Sequence, residues 1–421
     1  MNRIIIPTCL NILLFTLLGC SPKVEQTAFI SAPQRISSII DEYVDNGGYP
    51  LLYMRMEDKD GTLLYEHGKV NQVIHQGGQV DGESLFRIWS MSKIVTISVA
   101  LDLIEEGVLN FDDQVIKYIP EFKDLKVAVD EQGISLSQSE AECASQYVAV
   151  SEPMTVLHLL NHEAGFYYAT TGKNCIDSLA AEQNIATSLT SDELIARMAE
   201  LPLIQQPGTV DFYGTNTTVL GLVAERATGK SLQTLVEKHL TTPLKIEDLT
   251  YLLPEGETTF PSVTGRDSIL RHARPGELDI FGPDVPDYIP GIYLGGEGML
   301  ASSDAYCDFL RMLLNYGESG GVRILETATV EDLISPHTQT DSPWGHNGYN
   351  IWITGDTMET LGYGPAGLWQ GGGYEGTNFW VDPENEFVAV IMSQINETSS
   401  AGWEMYNDVR AELYKQIEAA D

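Results

Sequence analysis

The stretch FRIWSMSKIV, residues 86–95, places Lys93 three residues after Ser90. The residues that follow are almost wholly apolar as far as Ile104, which predicts a buried helix that ends near Gly107. Side chains three apart lie on one face of a helix, so we expect the hydroxyl and the amine to lie about a hydrogen bond apart. A lysine in such surroundings needs either a partner or a chemical function.

Ser90 and Lys93 alone leave two interpretations open. Burial disfavours the ammonium form and lowers the pKa of a lysine, and a neutral amine beside a hydroxyl is a general base. In this interpretation Ser90 is a nucleophile at the start of the helix, where backbone N–H groups and the helix dipole favour an oxyanion. In the other interpretation Ser90 caps the helix, and the stem of Lys93 carries its charge to solvent.

The first twenty residues, MNRIIIPTCLNILLFTLLGC, contain one cation, Arg3, and an apolar run that is short for a membrane-spanning helix of ~20 residues. They predict a secretory signal peptide over residues 1–19. Residues 17–20 (LLGC) resemble a bacterial lipobox. That resemblance implies an exported lipoprotein, anchored through lipid on Cys20 to the periplasmic side of the inner or outer membrane; a plain signal peptide cleaved nearby is the alternative. Residues 20–34 are polar and predict a tether.

The charge balance of the chain is strongly acidic. It has 60 acidic and 24 basic residues, a formal net charge of −36, and its lysines and arginines form no cluster along the sequence. A field of this sign repels phosphate backbones, so nucleic acid is not expected as a partner. The charge favours solubility and does not identify a reaction.

Three cysteines remain when the signal segment and Cys20 are set aside. Export would place them in an oxidising compartment, where disulfides persist. Cys143 and Cys175 stand in polar, loop-like sequence, and the residues alone leave open whether they form a bridge. Cys307 lies in a helical pattern, which predicts a small core residue.

Strand patterns stand at both ends of the chain. Residues 50–58 (PLLYMRMED) and 62–70 (TLLYEHGKV) flank a turn, and NFWVD and EFVAVIMSQ flank another at residues 382–385. Helical patterns dominate the middle, and a last amphipathic helix is predicted from Trp403 to about Ala419. These patterns predict an α+β fold, with an antiparallel sheet built from both chain ends, flanking helices and an inserted, mostly α-helical subdomain.

Residues 35–421 are therefore expected to form a single domain. Its α/β part would cover about 35–92 and 300–421, and its helical part about 93–299. The Pro- and Gly-rich residues 281–298 predict a long irregular loop of the kind that often forms a pocket wall.

Four short motifs predict no chemistry in this context. Residues 317–321 match G-x-S-x-G but follow a helix, so they predict a turn rather than a nucleophile elbow. Residues 371–376 match the dinucleotide-binding pattern G-x-G-x-x-G but precede a strand instead of a helix. Gly229, Lys230 and Ser231 match the end of a P-loop, but Gly229 is better interpreted as a helix cap. His158 and His162 are four apart without further ligands nearby, so no catalytic metal is expected.

The Ser90–Lys93 segment resembles the nucleophile segment of serine β-lactamases of class C, of penicillin-binding peptidases and of family VIII carboxylesterases. The similarity covers most of residues 35–415 and includes residues 154–166 (MTVLHLLNHEAGF) and 206–221 (QPGTVDFYGTNTTVLG). It implies a β-lactamase/transpeptidase-like fold. It also implies a serine hydrolase without a cofactor, in which Ser90 is the nucleophile and Tyr213 shares proton transfer with Lys93.

Two departures from the family pattern concern the substrate. The second motif usually reads Tyr-x-Asn, but here Tyr213 is followed by Gly and Thr215, with Asn216 one place late. By this resemblance, Thr215 and Asn216 are candidates for substrate binding. In the third motif Trp369 or Gln370 stands where the family usually has a cation that pairs with a substrate carboxylate.

The third motif also supplies a backbone N–H group to the family's oxyanion site. Here Gly372 or Gly373 would provide it, beside that of Ser90. A tryptophan at the position of the cation is typical of the esterase branch, so a small uncharged carboxylic ester is the expected substrate. The alternatives are a β-lactamase or a D-amino-acid peptidase with the same residues, and a catalytically silent envelope lipoprotein.

Overall fold

The computed structural model describes residues 30–265, 269–274, 292–396 and 404–420. The predicted signal peptide, the lipidation site Cys20 and most of the tether lie outside these residues, as does much of the loop 281–298. Within the described ranges, no helix combines the length and the hydropathy needed to cross a bilayer.

The helices of the described residues are numbered α1 to α12 along the chain. They are Pro33–Asp45, Ser92–Glu105, Val156–Leu160, Asn174–Gln183, Ser191–Ala199, Asn216–Thr228, Leu232–Val236, Thr242–Leu244, Ser303–Leu314, Thr327–Leu333, Asp356–Thr360 and Glu404–Ala420. A 3-10 turn, Trp89–Met91, precedes α2, and a π-helical turn, Glu237–Thr241, follows α7.

The strands of the same residues are numbered β1 to β18. They are Leu51–Asp58, Leu63–Val70, Phe86–Arg87, Lys126–Val129, Gln146–Ala149, Leu249–Thr250, Val263–Thr264, Arg271–His272, Leu300–Ala301, Glu318–Ser319, Val322–Arg323, Thr338–Ser342, Gly345–Asn347, Trp352–Thr354, Trp369–Gly373, Thr377–Asp382, Phe387–Met392 and Ile395–Asn396.

One eight-stranded sheet dominates the fold, in the order β12-β13-β14-β15-β16-β17-β1-β2. Its neighbours pair antiparallel throughout, and β1 joins the sheet against β17, with Tyr53 opposite Met392. The first two strands of the chain therefore complete a sheet whose other six strands come from its last quarter. This confirms the predicted α+β fold with a sheet built from both chain ends.

Helices cover both faces of the sheet. Leu52 and Met54 of β1 pack in one apolar cluster with α1 and α12, whereas Leu51 and Tyr53 belong to the larger cluster that contains α2 and α9. Successive side chains of a strand point to opposite faces, so a strand covered on both sides is apolar at nearly every position. This explains the continuous apolar run of β17, whose six residues are all buried.

The local predictions are confirmed with small shifts at the ends of elements. The two N-terminal strand patterns are β1 and β2, and the terminal helix is α12. Residues 317–321 form the turn region of the β10–β11 hairpin rather than a nucleophile elbow. Gly229 ends α6 with φ of 66°, in the left-handed region that favours glycine.

Cys143 and Cys175 form a disulfide, with their Cα atoms 5.1 Å apart. The bond ties the first turn of α4 to the segment before β5, next to a small apolar cluster that includes Ile176 and Leu136. Cys307 is a free thiol buried in α9, as its helical pattern predicted. The question that the sequence left open is therefore answered by proximity in the fold.

Replacing both Cys143 and Cys175 by serine is expected to lower the free energy of unfolding by about 3 kcal/mol, because the bond restricts the unfolded chain across a separation of 32 residues. Urea denaturation followed by circular dichroism measures the change. Dithiothreitol should lower the midpoint of the native protein and leave that of the double variant unchanged. A fully reduced native protein with an unaltered midpoint would contradict this account.

Candidate active site

Ser90 lies in the 3-10 turn Trp89–Met91 and not in the first turn of α2, which begins at Ser92. The sequence predicted that the helix itself starts at Ser90. The candidate nucleophile lies instead in the turn that precedes the helix. Trp89 has φ of 46°, a left-handed conformation that is strained for a bulky residue. The turn leaves Ser90 partly exposed between the buried residues Trp89 and Met91.

Lys93 is fully buried, and its amine faces Ser90 instead of solvent. Lys93 Nζ lies 3.1 Å from Ser90 Oγ. The amine also donates to Tyr168 Oη and to the carbonyl oxygen of Gly296, at 2.8 Å each. A lysine stem that carries its charge to water, one of the two interpretations of the sequence, is not what the fold provides.

A buried chain of hydrogen bonds continues behind Lys93. The Tyr168 hydroxyl donates to Glu297 Oε1 at 2.7 Å, and Thr218 Oγ1 donates to Glu297 Oε2 at 2.5 Å. Burial, and then the carboxylate of Glu297, hold the pKa of Tyr168 well above its usual range, so this hydroxyl keeps its proton. Tyr168 therefore links the amine of Lys93 to a buried carboxylate.

Sequence reasoning missed Tyr168 and Glu297. They are 129 residues apart, and no spacing rule connects such positions. The available signal was a glutamate within the Gly-rich end of the loop 281–298, because a carboxylate in a predicted pocket wall is a candidate for function.

Tyr213 covers the amine from the solvent side. Its side chain is 52% exposed, and its ring centroid lies 4.9 Å from Lys93 Nζ, within the range of a cation–π contact. The ring stacks on His162 at 5.0 Å, with an angle of 15° between the planes. Ser90, Lys93 and Tyr213, which the sequence singled out, are thus brought together.

His162 supports Tyr213 from behind. Burial, and then the charge that Lys93 carries when it is protonated, lower the pKa of His162 to about 3, so its imidazole is neutral at ordinary pH. His162 Nδ1 accepts from the backbone N–H of Gly214 at 3.3 Å and lies 3.1 Å from Asn216 Nδ2. These contacts hold the segment that carries Tyr213 against the imidazole.

Thr215 and Asn216 do not lie on the pocket wall where the family pattern had placed substrate-binding candidates. Both are buried, and the Thr215 hydroxyl donates to the carbonyl oxygen of Tyr167 at 3.4 Å. Asn216 opens α6 and points to His162. Asn216 stands one residue later than the asparagine of the family pattern. Because successive residues at the start of a helix point in different directions, its amide points away from the pocket.

The strand β15 forms the opposite wall of the pocket. Trp369 is 2% exposed, belongs to the large apolar cluster and also contacts the exposed ring of Tyr316, so it does not line the pocket. Gln370, Gly371 and Gly372 do line it. Gln370 Oε1 accepts from Arg410 Nη1 at 2.6 Å, which fixes its amide. Neither Trp369 nor Gln370 is a cation.

Gly373 brings β15 close to the turn that carries Ser90. A Cβ atom at this position would lie 2.4 Å from the carbonyl oxygen of Ile88, so only glycine permits the approach. Gly372 lines the pocket and Gly373 does not. Of the two candidates for the second oxyanion donor, Gly372 is therefore the one that faces the site.

Glu375, in the turn between β15 and β16, holds the Ser90 turn in place. Its Oε2 accepts from Trp89 Nε1 at 2.6 Å and lies 3.0 Å from Arg87 Nη2. Glu375 and Arg87 are both buried. One carboxylate thus fixes the strained residue before Ser90 to the strand that provides Gly372.

The pocket between these walls has a volume of about 320 Å³. Its lining combines Ser90 with three aromatic residues, Tyr213, Trp352 and Phe379, and with several amides and glycines. Among the described lining residues Asp211 is the one with a formal charge, and neither a lysine nor an arginine is present.

Histidines occur in two groups of potential metal ligands. His158 caps α3 through reciprocal contacts with Thr155, so it serves a different role from His162. In the part of the chain that the structure describes, Asp102, Glu106 and His239 form one group whose ligand atoms lie within 4.8 Å of one another. His239 Nδ1 lies 2.6 Å from Asp102 Oδ2, so these two members of the group are hydrogen-bonded to each other.

Glu375→Ala is expected to lower the free energy of unfolding by about 3–5 kcal/mol, because the buried Arg87 loses this carboxylate. It should also slow any reaction of Ser90, since Trp89 loses its anchor. Urea denaturation and Ser90 labelling rates measure the two effects. The control, Glu386→Ala, removes the carboxylate of an exposed pair with Lys59 and should change neither quantity. Equal effects of the two variants would contradict the anchoring role.

The free energy of unfolding should decrease as the pH is lowered from about 6.5 to 3. In this window the unfolded His162 binds a proton that the buried imidazole does not, so acidification favours unfolding by up to about 1.4 kcal/mol per pH unit. His162→Asn should flatten this part of the profile, and asparagine tolerates the φ of 56° at this position. Denaturation curves of the native protein and of His162→Asn at pH 4.5 and 7 test this expectation. The same pH dependence in the two proteins would contradict the attribution of this effect to His162.

Known proteins of one family are similar to this chain in sequence and in fold. The model of the Beta-lactamase family matches residues 36–410. Esterase EstB of Burkholderia gladioli is 28% identical over 342 residues, which cover 77% of this chain and 81% of EstB.

Solved structures agree in fold. EstCE1, described as a hydrolase with promiscuous acyltransferase activity, superposes with a TM-score of 0.72 at 20% identity, over 92% of this chain and 98% of its own. Simvastatin synthase LovD from Aspergillus terreus gives 0.71 at 18% identity, over 92% and 99%. With the family model covering most of its length, the chain belongs to the Beta-lactamase family.

Proposed function

We propose that the protein is a serine hydrolase that cleaves small uncharged carboxylic esters through an acyl-enzyme on Ser90. The observation that carries the proposal is the buried amine of Lys93, 3.1 Å from Ser90 Oγ at the edge of the pocket. The similarity to EstB, which is named an esterase, supports the choice of an ester.

The contacts of Lys93 suit a general base. The carbonyl of Gly296 can only accept a hydrogen bond, and the Tyr168 hydroxyl already donates to Glu297, so its oxygen accepts as well. These two acceptors take both N–H groups of a neutral amine. The lone pair that remains is then directed at the Ser90 hydroxyl.

In the first step Ser90 Oγ attacks the ester carbonyl and its proton passes to Lys93, with Tyr213 sharing the transfer. The oxyanion accepts hydrogen bonds from the backbone N–H groups of Ser90 and Gly372. The C–O bond to the alcohol then breaks, and the leaving alkoxide takes the proton through Tyr213. Water attacks the acyl-enzyme by the same route, which releases the acid and restores the Ser90 hydroxyl.

The absence of a lysine or arginine from the described pocket lining favours esters over β-lactams and peptidoglycan stems. Those substrates carry a carboxylate, and a charge-assisted pair with a cation is the usual means of binding it. Asp211 would repel such a group, and Gln370 cannot replace the cation. A β-lactamase or a D-amino-acid peptidase therefore fits this pocket less well.

Ser90→Ala should abolish both the hydrolysis of p-nitrophenyl butyrate and labelling by a fluorophosphonate probe. Lys93→Met and Tyr213→Phe should each lower kcat by roughly 10²–10⁴-fold, because they remove proton transfer. Ester assays and peptide mass analysis measure these effects. Lys123→Met, a change at an exposed lysine, is the control and should leave turnover intact.

A chromogenic cephalosporin assayed in parallel separates the alternatives. Rapid cephalosporin turnover without ester cleavage would favour a β-lactamase. A protein that hydrolyses neither substrate and takes no label at Ser90 would be a silent binding module, and the proposal would then be wrong.

A further inference from the structure

The wall of the pocket next to Tyr213 is negatively charged. Asp211 lies two residues before Tyr213, is half-buried and lines the pocket. Lys93 lies beneath the Tyr213 ring and is not part of the lining. Among the described lining residues, a substrate group in the open part of the pocket therefore meets one formal charge, and that charge is negative.

A second carboxylate, that of Glu163, lies behind the pocket lining. Burial raises the pKa of Glu163, the hydrogen bond from Asn161 lowers it, and the carboxylate of Asp211 raises it. The imidazole of His337 opposes this effect. Asn161, another lining residue, donates from Nδ2 to Glu163 Oε2 at 3.4 Å, so Glu163 lies directly behind the wall.

Three aromatic rings border the same space. Tyr213 is half exposed, Trp352 is half-buried, and Phe379 closes the pocket towards the sheet. Trp352 Nε1 donates to the carbonyl oxygen of Trp344 at 3.3 Å, which orients its ring. Aromatic faces attract ammonium groups, and quaternary ammonium ligands are typically held by such rings together with a carboxylate.

We propose that the pocket prefers esters that carry an ammonium group, either quaternary or a protonated amine, with the cation beside Asp211 and the rings of Tyr213 and Trp352. The inference rests on the proposed ester hydrolysis and names its substrate class. The net charge of −36 acts in the same direction, because it raises the local concentration of cations and repels carboxylates.

Matched pairs of substrates test the preference. Butyrylthiocholine is compared with the S-(3,3-dimethylbutyl) ester of thiobutyric acid, in which carbon replaces the quaternary nitrogen. A second pair carries the same difference on the acyl side of a p-nitrophenyl ester. For at least one pair kcat/KM should be about tenfold higher for the cation, and the ratio should fall as salt is added.

Asp211→Asn should bring the ratio of cationic to neutral turnover close to one, whatever its effect on the absolute rates. Asp124→Asn makes the same change in net charge at a side chain that is 84% exposed and outside the pocket lining, and should keep the native ratio.

The possible outcomes are distinguishable. Equal kcat/KM values within both pairs, or an Asp211→Asn variant with the native ratio, would overturn the ammonium preference while ester hydrolysis at Ser90 stands. Failure of every ester, with no probe label at Ser90, would overturn the proposed function and this inference with it.

Discussion

The structure depends on the burial of one amine. Lys93 is fully buried, and a buried ammonium or amine group is costly unless its hydrogen bonds are satisfied. Its partners come from three separate parts of the chain: the Ser90 turn, Tyr168 after α3, and Gly296 in the loop before β9. The helical part and the sheet must therefore close together around this side chain.

A second constraint fixes the hydroxyl that the amine faces. Trp89 is held in a strained left-handed conformation, and Glu375 provides the hydrogen bond that stabilises it. Glu375 lies in the turn between β15 and β16, which follows Gly373. Because Gly373 has no side chain, β15 can approach Ile88 closely. The strain at Trp89 and the close approach of the strand are thus both maintained by residues at the turn between β15 and β16, which fixes the position of Ser90 relative to Gly372.

The character of the pocket follows from what replaces the family's usual cation. Trp369 turns into the core, and Gln370 is held by Arg410, so neither side chain offers a cation to the substrate. Asp211 then determines the electrostatic sign of the wall. The scaffold is shared with the family, whereas substrate class depends on these few side chains.

The sequence by itself determined the local features: the main strands and helices, the family, and the nearness of Ser90 and Lys93, because residues three apart meet through backbone geometry alone. The tertiary structure decided everything that joins distant segments. Cys143 with Cys175, Tyr168 with Glu297, and Trp89 with Glu375 are pairs that no periodicity links. It also decided which side of β15 faces the pocket, because a shift of one residue along a strand exchanges its two faces.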